Sequence, residues 1–375
     1  MHKKNLGIYI HVPFCLRKCP YCNFYSVPLN KVLKVKYVDT LVECLHYFGK
    51  KLNNEYIVDS IYFGGGTPSL LNNKDLFKIF SKIKENFSLK NCETTLEINP
   101  CGIDSIDFIF LRKLGINRLS IGMQSTNDKE LKLLGRQHTN SQSINTINLA
   151  KKSGFSNISV DIMINIPNQT KKRLFESLVF CQKANVQHVS AYMLKLEKGT
   201  QFYKKKDNLD LKDEKAQSEF YLYTCKILEN LGFRQYEISN FAKPGFESKH
   251  NLKYWNLDEY LGIGPGAHSL LNGKRFFYES SIEKFLNDKK LTWDHRTVED
   301  ISLEEEYTML RLRLSSGLEN NKYFEKFSKN IPIEYFNKAK IFENLGFLKT
   351  DSKNYIKFTQ RGYLVSNRLI SDIIF

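Results

Sequence analysis

Short apolar runs alternate with longer stretches of helical spacing from residue 6 to residue 194, and this rhythm restricts the chain more than any other feature. The runs cover 6–11, 60–63, 95–98, 118–122, 158–164 and 188–194. Helical patterns lie between them, near 34–48, 73–86, 104–114, 140–153 and 171–184. A strand followed by a helix and then another strand must cross over, so neighbouring strands run parallel and the crossovers are right-handed. Six such units predict an α/β fold in the form of a partial (β/α)6 TIM-like barrel, short of a closed eight-stranded one.

The rhythm changes after residue 200. A helix is expected over 213–231, followed by a loop-rich stretch over 236–270. From about residue 300 the chain reads as a separate, mainly helical unit. It has apolar spacing over 304–314, an amphipathic 334–345, and a strand-like turn near 355–359 that leads into a last helix. This predicts a small winged-helix-like C-terminal domain. The domains expected are therefore 1–235, 236–295 and 296–375.

Polar and glycine-rich residues cluster just after the apolar runs. Gly64-Gly65-Gly66-Thr67-Pro68, Glu97-Ile98-Asn99-Pro100 and Gln124-Ser125 are the clearest examples. In parallel α/β folds the C-terminal strand ends form the functional face, so these separated segments predict one shared site.

Three of the eight cysteines fall together, as Cys15-Leu-Arg-Lys-Cys19-Pro-Tyr-Cys22. The spacing C-x3-C-x2-C offers three thiolates to a 4Fe–4S cluster that ordinarily takes four, which leaves one iron open. A zinc site with His11 as fourth ligand, and a chance grouping, are the alternatives. Cys44, Cys92, Cys101, Cys181 and Cys225 are isolated and read as small core residues. No stretch approaches the ~20 apolar residues of a membrane-spanning helix, and no secretion signal is evident, so a cytoplasmic protein is expected. The formal charge is +16, but the lysines are scattered from Lys3 to Lys357 and the longest run is Lys204-Lys205-Lys206. That distribution fits a Lys-rich surface and disfavours nucleic acid as a partner. Peripheral association with anionic membrane surfaces stays open.

A longer series of motifs resembles the radical S-adenosylmethionine (SAM) family of anaerobic coproporphyrinogen dehydrogenases and their relatives. The series begins with Tyr9-Ile-His11-Val-Pro13-Phe-Cys15, the cysteine triplet and Gly64-Gly-Gly-Thr-Pro68. It continues through Leu-Glu97-Ile-Asn-Pro, Arg118-Leu-Ser-Ile-Gly-Met-Gln124-Ser, Leu-Gly-Arg136-Gln-His138 and Val-Asp161-Ile-Met. Tyr236-Glu-Ile-Ser-Asn-Phe-Ala extends it towards the C-terminal unit, so it spans nearly the whole chain. The barrel is accordingly expected to be a radical-SAM barrel. The resemblance implies a 4Fe–4S cluster on Cys15, Cys19 and Cys22, with SAM chelated to the open iron and cleaved to a radical on reduction.

By the same resemblance Tyr9, Gly65, Gly66, Thr67, Glu97, Gln124, Arg136 and Asp161 fall at SAM-contacting positions, and Tyr21 borders the pocket. Gly65 and Gly66 let backbone approach a ligand closely. Glu97 and Asp161 accept from amino or hydroxyl groups, and Arg136 offers a planar fork to a carboxylate. Taken singly, Glu97, Arg136 and Asp161 would read as surface ion pairs. The chain departs from the family after Asp161, where Ile164-Asn165-Ile166-Pro167 replaces the usual Tyr-Gly-apolar-Pro.

Two branches of the family differ in function. The dehydrogenase branch usually carries a fourth cysteine two residues after the triplet, where this chain has Phe24, and a long N-terminal extension. The HemW-type heme-chaperone branch resembles this chain in both respects and carries His-Asn-x-x-Tyr-Trp, present here as His250-Asn-Leu-Lys-Tyr254-Trp255. The resemblance implies heme binding and transfer to heme-accepting proteins, respiratory-chain proteins among them, with the cluster serving dimerisation or regulated release. A heme site wants an axial ligand and apolar walls, which His250, Tyr254 and Trp255 would supply. His250 is also readable as a hydrogen-bonded loop histidine and Trp255 as core, while His138 and His268 compete for the role. A SAM-dependent coproporphyrinogen III dehydrogenase is the alternative, and an RNA-modifying radical SAM enzyme a more remote one.

Overall fold

In a computed structural model, which describes residues 3–102, 106–287, 296–297, 302–351 and 354–375, the alternation becomes one large open sheet. Strand β1 (Lys4–Val12) leads through helix α1 (Lys31–Leu52) to β2 (Tyr56–Gly65). Helix α2 (Asn73–Asn86) connects to β3 (Leu89–Ile98), and α3 (Phe108–Leu114) to β4 (Arg118–Gln124). Helices α4 (Asp128–Leu133) and α5 (Asn140–Lys152) precede β5 (Ile158–Ile164), and α6 (Lys171–Lys183) precedes β6 (His188–Met193). All neighbours from β1 to β6 pair in parallel, as the six-unit reading expects.

Local chemistry sets the helix ends. Asn72 and Asp75 form a reciprocal capping box at the start of α2, and Thr139 and Gln142 do the same for α5. Helix α3 starts at Phe108, where the Asp107 side chain accepts from Phe110 N, and stops at Gly115, whose φ of 113° suits glycine. Residues 104–105 of the expected 104–114 pattern lie outside the described residues.

The sheet continues beyond the six units. After helix α7 (Glu214–Asn230) come β7 (Arg234–Gln235), β8 (Asn240–Ala242), helix α8 (Lys249–Trp255), β9 (Tyr260–Ile263), β10 (His268–Leu271), β11 (Lys274–Phe277) and β12 (Arg296–Thr297). The strand order is β12-β11-β10-β9-β1-β2-β3-β4-β5-β6-β8-β7. Strand β9 pairs in parallel with β1, giving a seventh parallel strand, whereas β8 and β10 add antiparallel edges. Three strands thus arise from the stretch read as loop-rich, because runs of three or four residues are too short to display a period of two. The sheet does not close, as a partial barrel requires.

At the C-terminal end, α9 (Leu303–Arg311), β13 (Leu318–Glu319), α10 (Asn320–Phe327), α11 (Ile333–Asn344), the hairpin β14 (Leu348–Asp351) and β15 (Tyr355–Phe358), α12 (Gln360–Leu364) and α13 (Ser366–Ile374) form helices around a three-stranded sheet. This is the helix-and-hairpin unit expected there. The boundary anticipated at 295/296 adjoins residues outside those described. Among the described residues no helix is long and apolar enough to cross a membrane.

Candidate functional site

Alternate residues of a strand share a face, so each barrel strand sends every second side chain inward. On β4 those are Arg118, Ser120, Gly122 and Gln124, and all four line one cavity of about 530 Å³. From β3 and the residue just beyond it come Glu97 and Asn99, from β5 Asp161 and Met163, and from β6 Ser190 and Tyr192. Cys15, Cys19, Cys22 and Tyr21 line the same cavity from the segment after β1, and Gly65, Gly66 and Thr67 line it from the end of β2.

The cysteine segment is held at both ends. Phe14 and Cys15 pair with Val27 and Pro28 in a short parallel bridge, and Cys22 N donates to the Cys19 carbonyl at 3.1 Å. All three thiols are free and half-buried. Thr67 Oγ1 lies 3.5 Å from Cys15 Sγ, and Arg136 Nη1 lies 3.7 Å from Cys19 Sγ. Among the described residues no three His, Cys, Asp or Glu groups converge on the position of a single metal ion. A cubane cluster binds each thiolate on a different iron, so it needs the wider arrangement, and the soft three-sulfur donor set around one cavity fits it. The zinc alternative weakens at His11. Its ring nitrogens face Tyr9 Oη and the Tyr25 carbonyl, each at 3.0 Å, and burial lowers its pKa.

The glycines form a close-fitting cradle. A Cβ on Gly65, whose φ is 106°, would stand 2.6 Å from the His11 ring, and one on Gly66 would stand 2.6 Å from the Phe14 carbonyl oxygen. Gln124 also has a left-handed backbone, with φ of 69°, at a register shift between β4 and β5. Such a bulge re-aims a side chain, and here Gln124 turns into the cavity.

Arg136 Nη2 donates to Asn99 Oδ1 at 3.2 Å and to the Gly122 carbonyl at 2.9 Å, while its buried Nε has no partner. Tyr62 donates to Glu97 Oε1 at 2.9 Å, and Ser120 to Asp161 Oδ1 at 3.2 Å. Burial, reinforced by the charge of Asp161, pushes the Glu97 carboxyl up to about 7. Burial raises Asp161 as well, opposed by hydrogen bonds from Ser190 and Ser120. Both carboxyls can receive an amino group or hydroxyls from a ligand, and Glu97 can hold a proton near neutrality.

The structure brings together Cys15, Cys19, Cys22, Tyr21, Gly65, Gly66, Thr67, Glu97, Gln124, Arg136 and Asp161. Tyr9 stands behind the wall, its hydroxyl on His11 and its ring 6.3 Å from that of Tyr62. His250 is also behind it and fully buried, with Nδ1 at 2.9 Å from Ser60 Oγ and Nε2 at 2.9 Å from Tyr254 Oη. Burial depresses its pKa to about 3. Both ring nitrogens are therefore occupied in this conformation, as in a satisfied core histidine. Tyr254 and Trp255 are half-buried on the same short helix, and Tyr254 packs edge-on against Tyr260 at 4.6 Å. Of the competing histidines, His138 is buried against the Met123 carbonyl and His268 stacks on Phe277.

Sequence reasoning overlooked Tyr62, Asn99, Arg118, Ser120, Ser190 and Tyr192 as cavity residues. For Arg118 and Ser120 the signal was present, since 118, 120, 122 and 124 alternate along one recognised motif.

Comparison with known proteins agrees with this architecture. The radical SAM superfamily model matches residues 9–181. The chain is 35% identical over 378 residues to a heme chaperone HemW of Buchnera aphidicola subsp. Schizaphis graminum, covering 97% of each chain. It is 33% identical to heme chaperone HemW of Lactococcus lactis, covering 100% of this chain and 98% of the relative. Its fold superposes on coproporphyrinogen III oxidase (HemN) from Escherichia coli, a radical SAM enzyme, with a TM-score of 0.84 at 18% identity, covering 99% of this chain and 90% of that one.

Proposed function

Because the chain belongs to the radical SAM superfamily and, within it, to the HemW family of heme chaperones, we propose that it binds heme and hands it to acceptor proteins. The observation that carries this reading is the end-to-end likeness to HemW chaperones, which includes the C-terminal unit and the His250-Asn-x-x-Tyr-Trp255 segment. The likeness to the dehydrogenase is one of fold. At the position where that branch carries a cysteine stands Phe24, which lines the cavity and is 68% exposed.

In this reading Cys15, Cys19 and Cys22 hold a 4Fe–4S cluster at the C-terminal strand ends. When bound, the cluster supplies an electron and an open iron that the amino and carboxylate groups of SAM chelate. The chain's own residues do the positioning. Gly65 and Gly66 admit the ligand against backbone, Arg136 and Gln124 offer donors, and Glu97 and Asp161 accept from the amino group or the ribose. Thr67, hydrogen-bonded to Cys15, orients that thiolate. Tyr21 closes the cavity beside Arg136.

His250, Tyr254 and Trp255 are the heme residues proposed from the sequence. For His250 to ligate iron, one ring nitrogen must leave its partner, Nε2 from Tyr254 or Nδ1 from Ser60, while the other can keep its hydrogen bond, so heme binding there includes a local rearrangement around α8. Recipients are heme-accepting proteins, with respiratory-chain proteins included. A homodimer and peripheral attachment to anionic membranes are parts of the same reading, the second supported by the formal charge of +16.

The test is an anaerobic titration of heme into cluster-reconstituted protein, followed by the Soret band and by passage of heme to an apo-acceptor. Saturable, near-stoichiometric binding and transfer are expected. Absence of specific binding, with turnover of a porphyrinogen instead, would replace the chaperone by the dehydrogenase.

A further inference from the structure

The cluster and SAM residues do not account for Arg118. It opens β4, at the opposite end of that strand from Gln124, and lines the cavity while only 2% exposed. Its hydrogen bonding is poor. Nη1 reaches Thr95 Oγ1 at 3.5 Å, Nε is buried without a partner, and no ion pair forms with a carboxylate among the described residues. A permanent cation taken out of water without a counter-ion is costly unless something else satisfies it.

Beyond Thr95, the nearest polar groups bond one another and not Arg118. Ser60 bonds His250, and Ser159 bonds His188 at 2.7 Å. The second nitrogen of His188 meets Tyr236 Oη at 2.9 Å. These groups satisfy one another and carry no negative charge. Glu97 and Asp161, further along the strands, feel the Arg118 charge but form no ion pair with it, and their hydrogen bonds come from Tyr62 and Ser120. The barrel floor thus presents a guanidinium with spare donors to a cavity walled by Tyr62 and Tyr192.

We propose that Arg118 anchors a carboxylate of the cargo, a propionate arm of a tetrapyrrole, at the floor of the barrel. The proposal rests on the heme-chaperone reading and adds the subsite that recognises the ligand's acidic edge. The SAM carboxylate is a poorer candidate by distance. Arg136, the donor assigned to it, grips the Gly122 carbonyl, four residues along β4 from Arg118. At roughly 3.3 Å per residue that separates the two backbone positions by about 13 Å. The Arg118 guanidinium stays beside Thr95, its register partner on β3, so the two guanidinium groups serve different ends of β4.

The test uses the full-length, cluster-reconstituted protein and two probes, heme and its dimethyl ester, in which both propionates are capped. Wild type is expected to bind heme more tightly than the ester. Arg118→Gln should weaken heme by about ten- to a hundredfold, the range of a charge-assisted hydrogen-bonded pair, and leave the ester unchanged. Arg118→Lys should recover part of the loss, and SAM affinity measured by calorimetry should stay the same. Equal affinity of wild type for heme and ester overturns the proposal without any variant. An equal loss for both probes in Arg118→Gln assigns the residue to packing, and a loss confined to SAM assigns it to the cofactor; either also overturns it. If wild type binds neither probe, the chaperone reading itself falls, an outcome distinct from equal binding of both.

Discussion

The two faces of the barrel strands are built to different rules. On β1, Leu6, Ile8, Ile10 and Val12 are fully buried in the apolar core, and on β4 the same holds for Leu119, Ile121 and Met123. The intervening residues, Tyr9 and His11 on β1 and Arg118, Ser120 and Gln124 on β4, are polar and hydrogen-bonded or reach the cavity. Burying apolar surface lowers the free energy with no requirement for direction. Burying polar groups costs unless each finds a partner, and Arg118 and Arg136 each keep an unpartnered Nε. The outer face therefore supplies stability, while the inner face carries a stability cost at its unpartnered polar atoms.

That division can be broken by experiment. The largest effect expected is on the cluster. Replacing Cys15, Cys19 or Cys22 with Ala should abolish cluster absorbance and iron content while the thermal unfolding of the apo-protein hardly changes, because all three thiols are only half-buried. Retained iron in all three variants would remove the cluster from this site. On the outer face the expectation is reversed. Ile121→Ala empties a fully buried position and should destabilise the fold by about 2–5 kcal/mol in chemical denaturation, with SAM affinity per folded molecule unchanged. A large loss of SAM affinity at unchanged stability would mean the two faces are not separable.

Much of this arrangement was legible in the sequence because both signals are periodic or clustered. The six parallel units follow from runs such as 158–164, which coincides with β5. The cysteine triplet and the glycines at 64–66 are contiguous, so their shared place at strand ends could be read directly. What escaped was contact between distant segments. Strand β9 has only four residues, and nothing local declares that Tyr260–Ile263 pairs with β1. His250 reads from the sequence either as an axial ligand or as a loop histidine hydrogen-bonded to backbone, and nothing local declares that Ser60 on β2 and Tyr254 occupy its ring. The alternation of 118, 120, 122 and 124 puts Arg118 on the cavity face, but nothing local declares that no carboxylate among the described residues pairs with it there.

Within the inner face, Asp161→Asn sharpens the comparison. It removes the charge but keeps the shape and the contact with Ser120, so SAM affinity should fall about tenfold or more with the cluster spectrum intact. Calorimetry giving equal affinity for both forms would take Asp161 out of the site.

The smallest effect expected is a change in how stability depends on pH. Glu97 has an ordinary carboxyl pKa of 4.5 when unfolded and about 7 in the fold, raised first by burial and then by Asp161. Between those values the native state holds a proton that the unfolded chain has released, so the contribution of Glu97 is fully present below 4.5 and is lost as pH rises through 7. Glu97→Gln keeps a neutral, similarly shaped group and should make unfolding free energy less steep over that window, by up to about 1.4 kcal/mol per pH unit. The slope does not vanish, because burial also raises Glu237 to about 7, and that residue is untouched. Removing the Glu97 charge also lets Asp161 ionise more readily, since the two carboxylates repel one another. Denaturation curves of wild type and variant between about pH 5 and about pH 7 decide the matter. Parallel curves would mean that Glu97 is already ionised in the fold, and that the inner face is wetter than its hydrogen bonding to Tyr62 implies.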